Sequence, residues 1–260
     1  MKKFRRVMLA AAAVCVGLGA VLSGIGAAAG GTLEDLDLDI RMPWKQPNSL
    51  QEEFSGVVSL DFEIRAARVE IREGEEFALD DGGVSCREFD SRVENGVWHV
   101  NITGGWDGDF DPDRDRTLVI TVPAGCRFRE ADIDLKAGSL TVEGLSAERA
   151  DIELSAGELR AESLAAGRCD LECGAGSLQI AGLETSDLSV KCGAGAVTLW
   201  MTGAEEEYSV RGEVGLGEIV IGTQSVSGLS REYFREGGTK RVDIDCGMGS
   251  VSLSFAGEGV

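Results

Sequence analysis

Histidine and aromatic residues are scarce in this chain, and each shortage excludes something. His99 is the only histidine, so a His-rich metal set cannot form and a Ser-His-Asp triad would rest on that one residue. It alternates with Trp98 and Val100 in strand-like sequence, with no Gly-x-Ser-x-Gly and no nucleophile motif around it. The 7 cysteines contain no Cys-x-x-Cys, and Cys169-x3-Cys173 lacks a second close pair to complete a zinc tetrahedron. Aromatics are only 6% of the chain while Gly numbers 36, which suits a thin repetitive core better than a thick globular one. Base is short as well. Without the four basic residues that open the chain, 21 Lys and Arg face 45 Asp and Glu, about −24. Nucleic acid is therefore excluded as a partner, because phosphate neutralisation needs clustered bases. Direct adhesion to anionic lipid headgroups is disfavoured for the same reason.

Long apolar runs are absent too, except one. The chain is uncharged from Val7 to Thr32, long enough to cross a bilayer. Lys2, Lys3, Arg5 and Arg6 precede that run, and Glu34, Asp35, Asp37 and Asp39 follow it. This asymmetry keeps the amino terminus in the cytoplasm and sends the rest outward. We read the segment as an uncleaved single-span anchor that ties the chain to the cell membrane. Ala27-Ala28-Ala29 keeps the alternative open, a signal peptide whose cleavage releases a secreted domain. Cys15 follows Val14 rather than a small residue, which argues against a lipoprotein anchor.

What remains is repetitive. Gly138, Gly157, Gly176 and Gly195 recur every 19 residues in "AGSL", "AGEL", "AGSL" and "AGAV". Gly217 follows after 22 and Gly249 after 32, so the later units carry insertions. "FEIRAARVEI" (62–71) keeps the pattern with Ala67 at the Gly position. Each unit holds two short period-two stretches around its Gly, which predicts strands with one buried face and a corner at the Gly. Nineteen residues are too few for a βαβ crossover and suit one coil of a parallel β-solenoid. The fold class expected is all-β, a β-helix of about 19-residue coils preceded by one amino-terminal transmembrane helix.

This register explains Cys-Gly-Ala-Gly, which occurs twice. Cys173, Cys192 and Cys246 share a column with Leu135, Leu154 and Val214. A slot that accepts Leu, Val or Cys is a small buried apolar position. "GAGSLQ" lacks the third Gly of a dinucleotide loop and no helix follows it. A structural core column is expected. Disulfides stay open, because coils about 4.8 Å apart bring the Cα atoms of successive cysteines within bridging range.

The expected organisation is a basic tail over 1–6, the anchor over 7–30, a stalk or cap over 31–58, and a less regular β part over 59–130. Regular coils follow over 131–260, with an insertion at 223–240. Glu94-Asn95-Gly96 reads as a hairpin turn.

The anchor ending in "GAAAGG", the "GSL", "GEL" and "GAV" coils and the closing "IDCGMGSVSLSF" together resemble the bacterial DUF4097 family. The resemblance runs from about Leu60 to Phe255. It implies an extracytoplasmic, adhesin-like β-solenoid and carries no catalytic residues to transfer.

Three constellations stand out. Asp107, Asp109, Asp111, Asp113 and Asp115 alternate as calcium loops begin, but an EF-hand starting at Asp107 would need Gly and Glu where Pro112 and Leu118 stand. Asp132, Asp151 and Asp170 should stack, as should Asp134, Glu153 and Glu172. Such like-charge columns are relieved by solvent and nearby Arg149, Arg168 and Lys191, or by a divalent cation. These carboxylates, with Asp107, Asp109, Asp111 and Asp113, are the calcium candidates; no other cofactor is expected. Trp200 points outward and could join Trp98, Trp106 and Tyr208 in a contact surface, or pack beneath the loop after Thr223.

The reading that follows is a membrane-anchored, extracytoplasmic, non-enzymatic interaction or scaffold domain with a protein or cell-surface glycan as partner. An envelope-stress sensor and a polysaccharide-active enzyme are the alternatives.

Overall fold

A computed structural model of the chain describes residues 54, 56–65, 67–80, 89–102, 117–228 and 230–256. The anchor, most of the stalk and Asp107–Asp115 lie outside the described residues, and among those described no helix is long and apolar enough to cross a membrane.

The described chain is nearly all strand. In order these are β1 (Ser59–Ile64), β2 (Ala67–Gly74), β3 (Ala78–Asp80), β4 (Phe89–Glu94), β5 (Val97–Ile102), β6 (Thr117–Pro123), β7 (Arg127–Leu135), β8 (Gly138–Leu154), β9 (Glu158–Cys173), β10 (Ser177–Cys192), β11 (Ala196–Met201), β12 (Tyr208–Val214), β13 (Glu218–Ile221), β14 (Gln224–Ser227), β15 (Arg231–Arg235), β16 (Lys240–Cys246) and β17 (Ser250–Phe255). A 3₁₀ turn at Glu205–Glu207 precedes β12.

Strands stack in parallel and in register, as a solenoid requires. The first face runs β5, β1, β7, then the carboxyl-terminal thirds of β8, β9 and β10, then β16 and β12. The second runs β6, β2, β8, β9, β10, β11, β17 and β13. A shorter third side stacks Leu145 on Leu164 and Leu164 on Leu183. Alternation delivers the apolar set inward on every face, so that Ile133, Ile152, Leu171 and Val190 form one buried ladder and Leu140, Leu159, Leu178 and Val197 another. Fully burying one such side chain contributes roughly 1.5–3 kcal/mol.

The predicted corners lie where the glycines put them. A Cβ on Gly157 would stand 2.2 Å from the Gly138 carbonyl oxygen, and one on Gly176 2.6 Å from that of Gly157. Gly138 and Gly157 also have positive φ, of 116° and 114°. Close approach of successive coils, then, is what demands Gly at this column.

Spatial order departs from chain order at both ends. The coil of β5 and β6 lies outside that of β1 and β2, although it comes later in the chain. At the other end β16 and β17 lie between β10–β11 and the coil of β12 and β13, so Gly249 stacks on Gly195, and Gly217 on Gly249. Period-two patterning says which face a strand belongs to but not which strand lies beside it.

Antiparallel strands cover both outer edges, β4 on β5 and β3 on β6 at one end, β15 on β12 and β14 on β13 at the other. The insertion at 223–240 is therefore mostly an end cap, and capping is how solenoids avoid edge-to-edge association. Asn95 and Gly96, with φ of 53° and 79°, form the expected hairpin turn between β4 and β5.

Aromatics close the two ends of the core. Trp98 is buried among Phe54, Phe62 and Phe77, at ring-centroid distances of 4.6, 5.7 and 5.9 Å, and its indole donates to Ser91 Oγ at 3.0 Å. At the other end Tyr208 packs on Phe255 at 5.4 Å.

Candidate functional site

The outward positions of the first face form unbroken columns. One reads His99, Asp61, Asp132, Asp151, Asp170, Ser189, Asp243 and Arg211; the next reads Asn101, Glu63, Asp134, Glu153, Glu172, Lys191, Asp245 and Glu213. The two acidic stacks expected from the sequence are thus side by side, and Asp61 and Glu63 extend them. Together Asp61, Glu63, Asp132, Asp134, Asp151 and Glu153 line an open concavity of about 360 Å³.

Their mutual repulsion is partly relieved by the chain's own cations. Lys136 Nζ bridges Asp134 at 2.7 Å and Glu153 at 3.0 Å, while Arg168 reaches Asp170 at 2.9 Å and Asp187 at 3.6 Å. Lys191 lies 3.7 Å from Glu172. Relief is incomplete where no base is close. Loss of hydration, then the charges of Asp151, Asp61, Glu130 and Asp134, hold the Asp132 carboxyl above its ordinary range. Loss of hydration likewise raises Asp151, reinforced by Asp170 and opposed by Arg149. Asp134 Oδ1 is a buried acceptor without a hydrogen-bond partner among the described residues. Among those residues no group of three or more His, Cys, Asp or Glu is arranged to hold a metal ion.

One contact on this face was not anticipated. His99 Nδ1 lies 2.7 Å from Asp61 Oδ2. The pair is invisible in the sequence because it depends on β5 lying beside β1, against chain order. A His–carboxylate pair can move a proton, but catalysis by nucleophilic attack also needs a nucleophile beside the imidazole.

The thiol column is a core column. Leu135, Leu154, Cys173, Cys192, Cys246 and Val214 follow one another in register, all buried, and Cys126, Cys169, Cys173, Cys192 and Cys246 are free thiols. Cys192 donates to the Gly195 carbonyl at 3.3 Å and Cys173 to that of Gly176 at 3.4 Å. Burial pushes the Cys173, Cys192 and Cys246 thiols up, away from the reactive thiolate.

The aromatic surface considered above does not assemble. Trp98 and Tyr208 are buried at opposite ends of the core, and Trp106 lies outside the described residues. Among the described members of that set, Trp200 alone faces out. It is 44% exposed at the end of β11, with Ser254 of β17 opposite it, and the segment after Thr223 pairs with β13 instead of covering it.

Comparison with known proteins places this geometry. No curated protein matches the chain by sequence. Among solved structures, a candidate cell adhesion protein from Clostridium sporogenes is 14% identical with a TM-score of 0.44, over 78% of this chain and 95% of that one. A candidate adhesin from Bacteroides fragilis is 12% identical with a TM-score of 0.34, over 76% and 92%. The model of one family, Toastrack DUF4097, matches residues 59–252, a span that begins at the first residue of β1 and closes inside β17. Matched by that model over most of its length, the chain belongs to the Toastrack DUF4097 family.

Proposed function

We propose that the chain is a membrane-anchored, extracytoplasmic interaction domain without enzymatic activity, its solenoid holding outward side chains in fixed columns for a protein or cell-surface glycan. The observation that carries this reading is the unbroken register of the first face, from Val97–Ile102 of β5 to Tyr208–Val214 of β12. Such a surface costs little backbone ordering entropy on binding, because strands hydrogen-bonded on both sides already fix the spacing of its columns. The uncharged run of residues 7–32, flanked by base before and acid after, supplies the anchor and its orientation.

Surface proteolysis of intact cells, joined to a cell-retention assay, tests the reading. Cleavage of the solenoid from outside, with retention lost on deletion of the gene, is the expected result. Protection from external protease would overturn the topology. Unchanged retention, with a changed envelope-stress transcript profile, would replace the binding role by a regulatory one.

A further inference from the structure

The two long faces of the solenoid differ in charge over the last coils. On the second face the outward positions of β2 are Arg68, Glu70 and Arg72 and those of β9 are Glu158, Arg160 and Glu162, while β8 carries Ser139, Thr141 and Glu143 and β6 carries Thr117, Val119 and Thr121. From β10 onward charge nearly stops. The outward positions there are Ser177, Gln179 and Ala181 on β10, Ala196, Thr198 and Trp200 on β11, Ser250, Ser252 and Ser254 on β17, and Glu218 and Val220 on β13. Glu218 sits at the rim, its carboxylate accepting a hydrogen bond from Ser225 at 2.6 Å. The first face stays charged over the same coils, with Asp187, Lys191, Arg241, Asp243 and Asp245. In a molecule of net charge −20, β10, β11 and β17 therefore present on this face three adjoining strands without an outward charge.

Its chemistry is specific. Trp200 is exposed with Thr198 two positions before it on the same strand and Ser254 opposite it on the next coil. The in-register pairs Gln179–Thr198 and Thr198–Ser252 continue the polar row across the panel. Short hydroxyl and amide side chains therefore recur about 4.8 Å apart between coils and about 7 Å apart along a strand. Each can both donate and accept a hydrogen bond, and none carries charge. An indole offers a flat apolar face with a polar edge. A pyranose needs that combination: a flat patch of C–H groups stacks on the ring while its hydroxyls find uncharged donors and acceptors alongside. Anionic ligands gain nothing from an uncharged panel on an acidic protein, and basic ones are drawn to the carboxylate columns of the other face. The neighbours of Trp200 in register are short and polar, Thr198 on its own strand and Ser254 opposite it.

We infer that the panel centred on Trp200 is a binding surface for an uncharged polysaccharide. This deepens the interaction-domain reading and rests on it, naming the face and the ligand class.

The test uses the full chain in detergent, incubated with insoluble cellulose, chitin and yeast β-glucan, with alginate as an anionic control. Depletion from the supernatant and Trp fluorescence are both read. At least one neutral polymer is expected to bind, with an affinity about ten-fold or more lower in Trp200→Ala and little changed by 0.05 to 0.5 M salt, as roughly expected for uncharged contacts. Thr198→Lys, which leaves the core untouched, should weaken it as well, and Asp151→Asn on the opposite face should leave it unchanged. Three results would each overturn the inference: no binding to any neutral polymer, binding that survives Trp200→Ala, or binding confined to alginate. Purification as a dimer that Trp200→Ala dissociates would do so too, making the panel a contact between copies. If cells still lose retention on gene deletion while the purified chain ignores all these polymers, the interaction-domain reading stands and only the ligand class falls.

Discussion

The sulfur of Cys192 lies where a side chain on Gly249 would have to go. A Cβ built on Gly249 would stand 2.6 Å from Cys192 Sγ and 2.3 Å from the Gly195 carbonyl oxygen. Thiol column and glycine column are thus two halves of one packing arrangement, in which a small residue and an absent one let successive coils come together. Gly249→Ala should cost about 2–4 kcal/mol in denaturant unfolding. Adding Cys192→Ala should restore little of it, because the tighter clash is with backbone. Full recovery in the double variant would show that the sulfur, not the carbonyl, is the limiting contact.

The same column predicts a mild outcome elsewhere. Cys192→Val keeps an apolar side chain of similar size in a slot that Val214 already fills in the outermost coil. A change of less than about 1.5 kcal/mol is expected, with the same Tm in the presence and absence of reductant. A large fall seen only under oxidising conditions would reveal a disulfide.

Leu178 is fully buried in the middle of the second-face ladder, between Leu159 and Val197. Leu178→Asp places a carboxylate there with no cation beside it and should cost more than about 4 kcal/mol. Loss of far-UV strand signal across several coils is expected, since each coil is stabilised by its neighbours. Survival of the fold would mean that the coils are stable individually.

Acid should help this protein before it harms it. The Asp132 and Asp151 carboxyls are raised above their ordinary range, so over the window from that range up to their folded pKa values the native state holds more protons than the unfolded one. Stability contributed by these groups therefore falls as pH rises through the window, and the whole penalty is present at neutral pH. Asp132→Asn or Asp151→Asn should raise the unfolding free energy at pH 7, by less than about 1 kcal/mol because solvent screens exposed groups, and raise Tm accordingly. The gain should vanish near pH 3 and shrink in high salt. A fall in Tm at pH 7 would mean that these carboxylates make net stabilising contacts.

Ser91 tests the end plug. It is fully buried and accepts the Trp98 indole N–H. Ser91→Ala strands that donor, at a cost of about 1–3 kcal/mol, whereas Ser91→Thr should keep most of the stability.

Much of this architecture is legible in the sequence. Spacing of 19 fixes the column of Gly138, Gly157, Gly176 and Gly195, and alternation fixes which residues beside it are buried, because both are local consequences of the pleat. Adjacency at the ends is not local. Nothing near Asp61 in the sequence announces His99, and nothing near Gly195 announces Gly249, because each pairing spans an excursion whose return point depends on which exposed edge is free. The acidic columns were readable from register alone. The neutral panel was not, since half of it comes from β17 and β13, which follow β11 only through the reversed order of the last two coils.

That reversal has a consequence for how the molecule can be made. Residues 208–221 leave the ribosome before residues 240–255, yet they rest on them. A growing chain that has reached the outermost coil has no seat for it and holds the edges of β10 and β11 open. The outermost coil therefore shuts only once β16 and β17 have been laid beneath it, so a chain cut between Ile221 and Lys240 holds that coil without its seat.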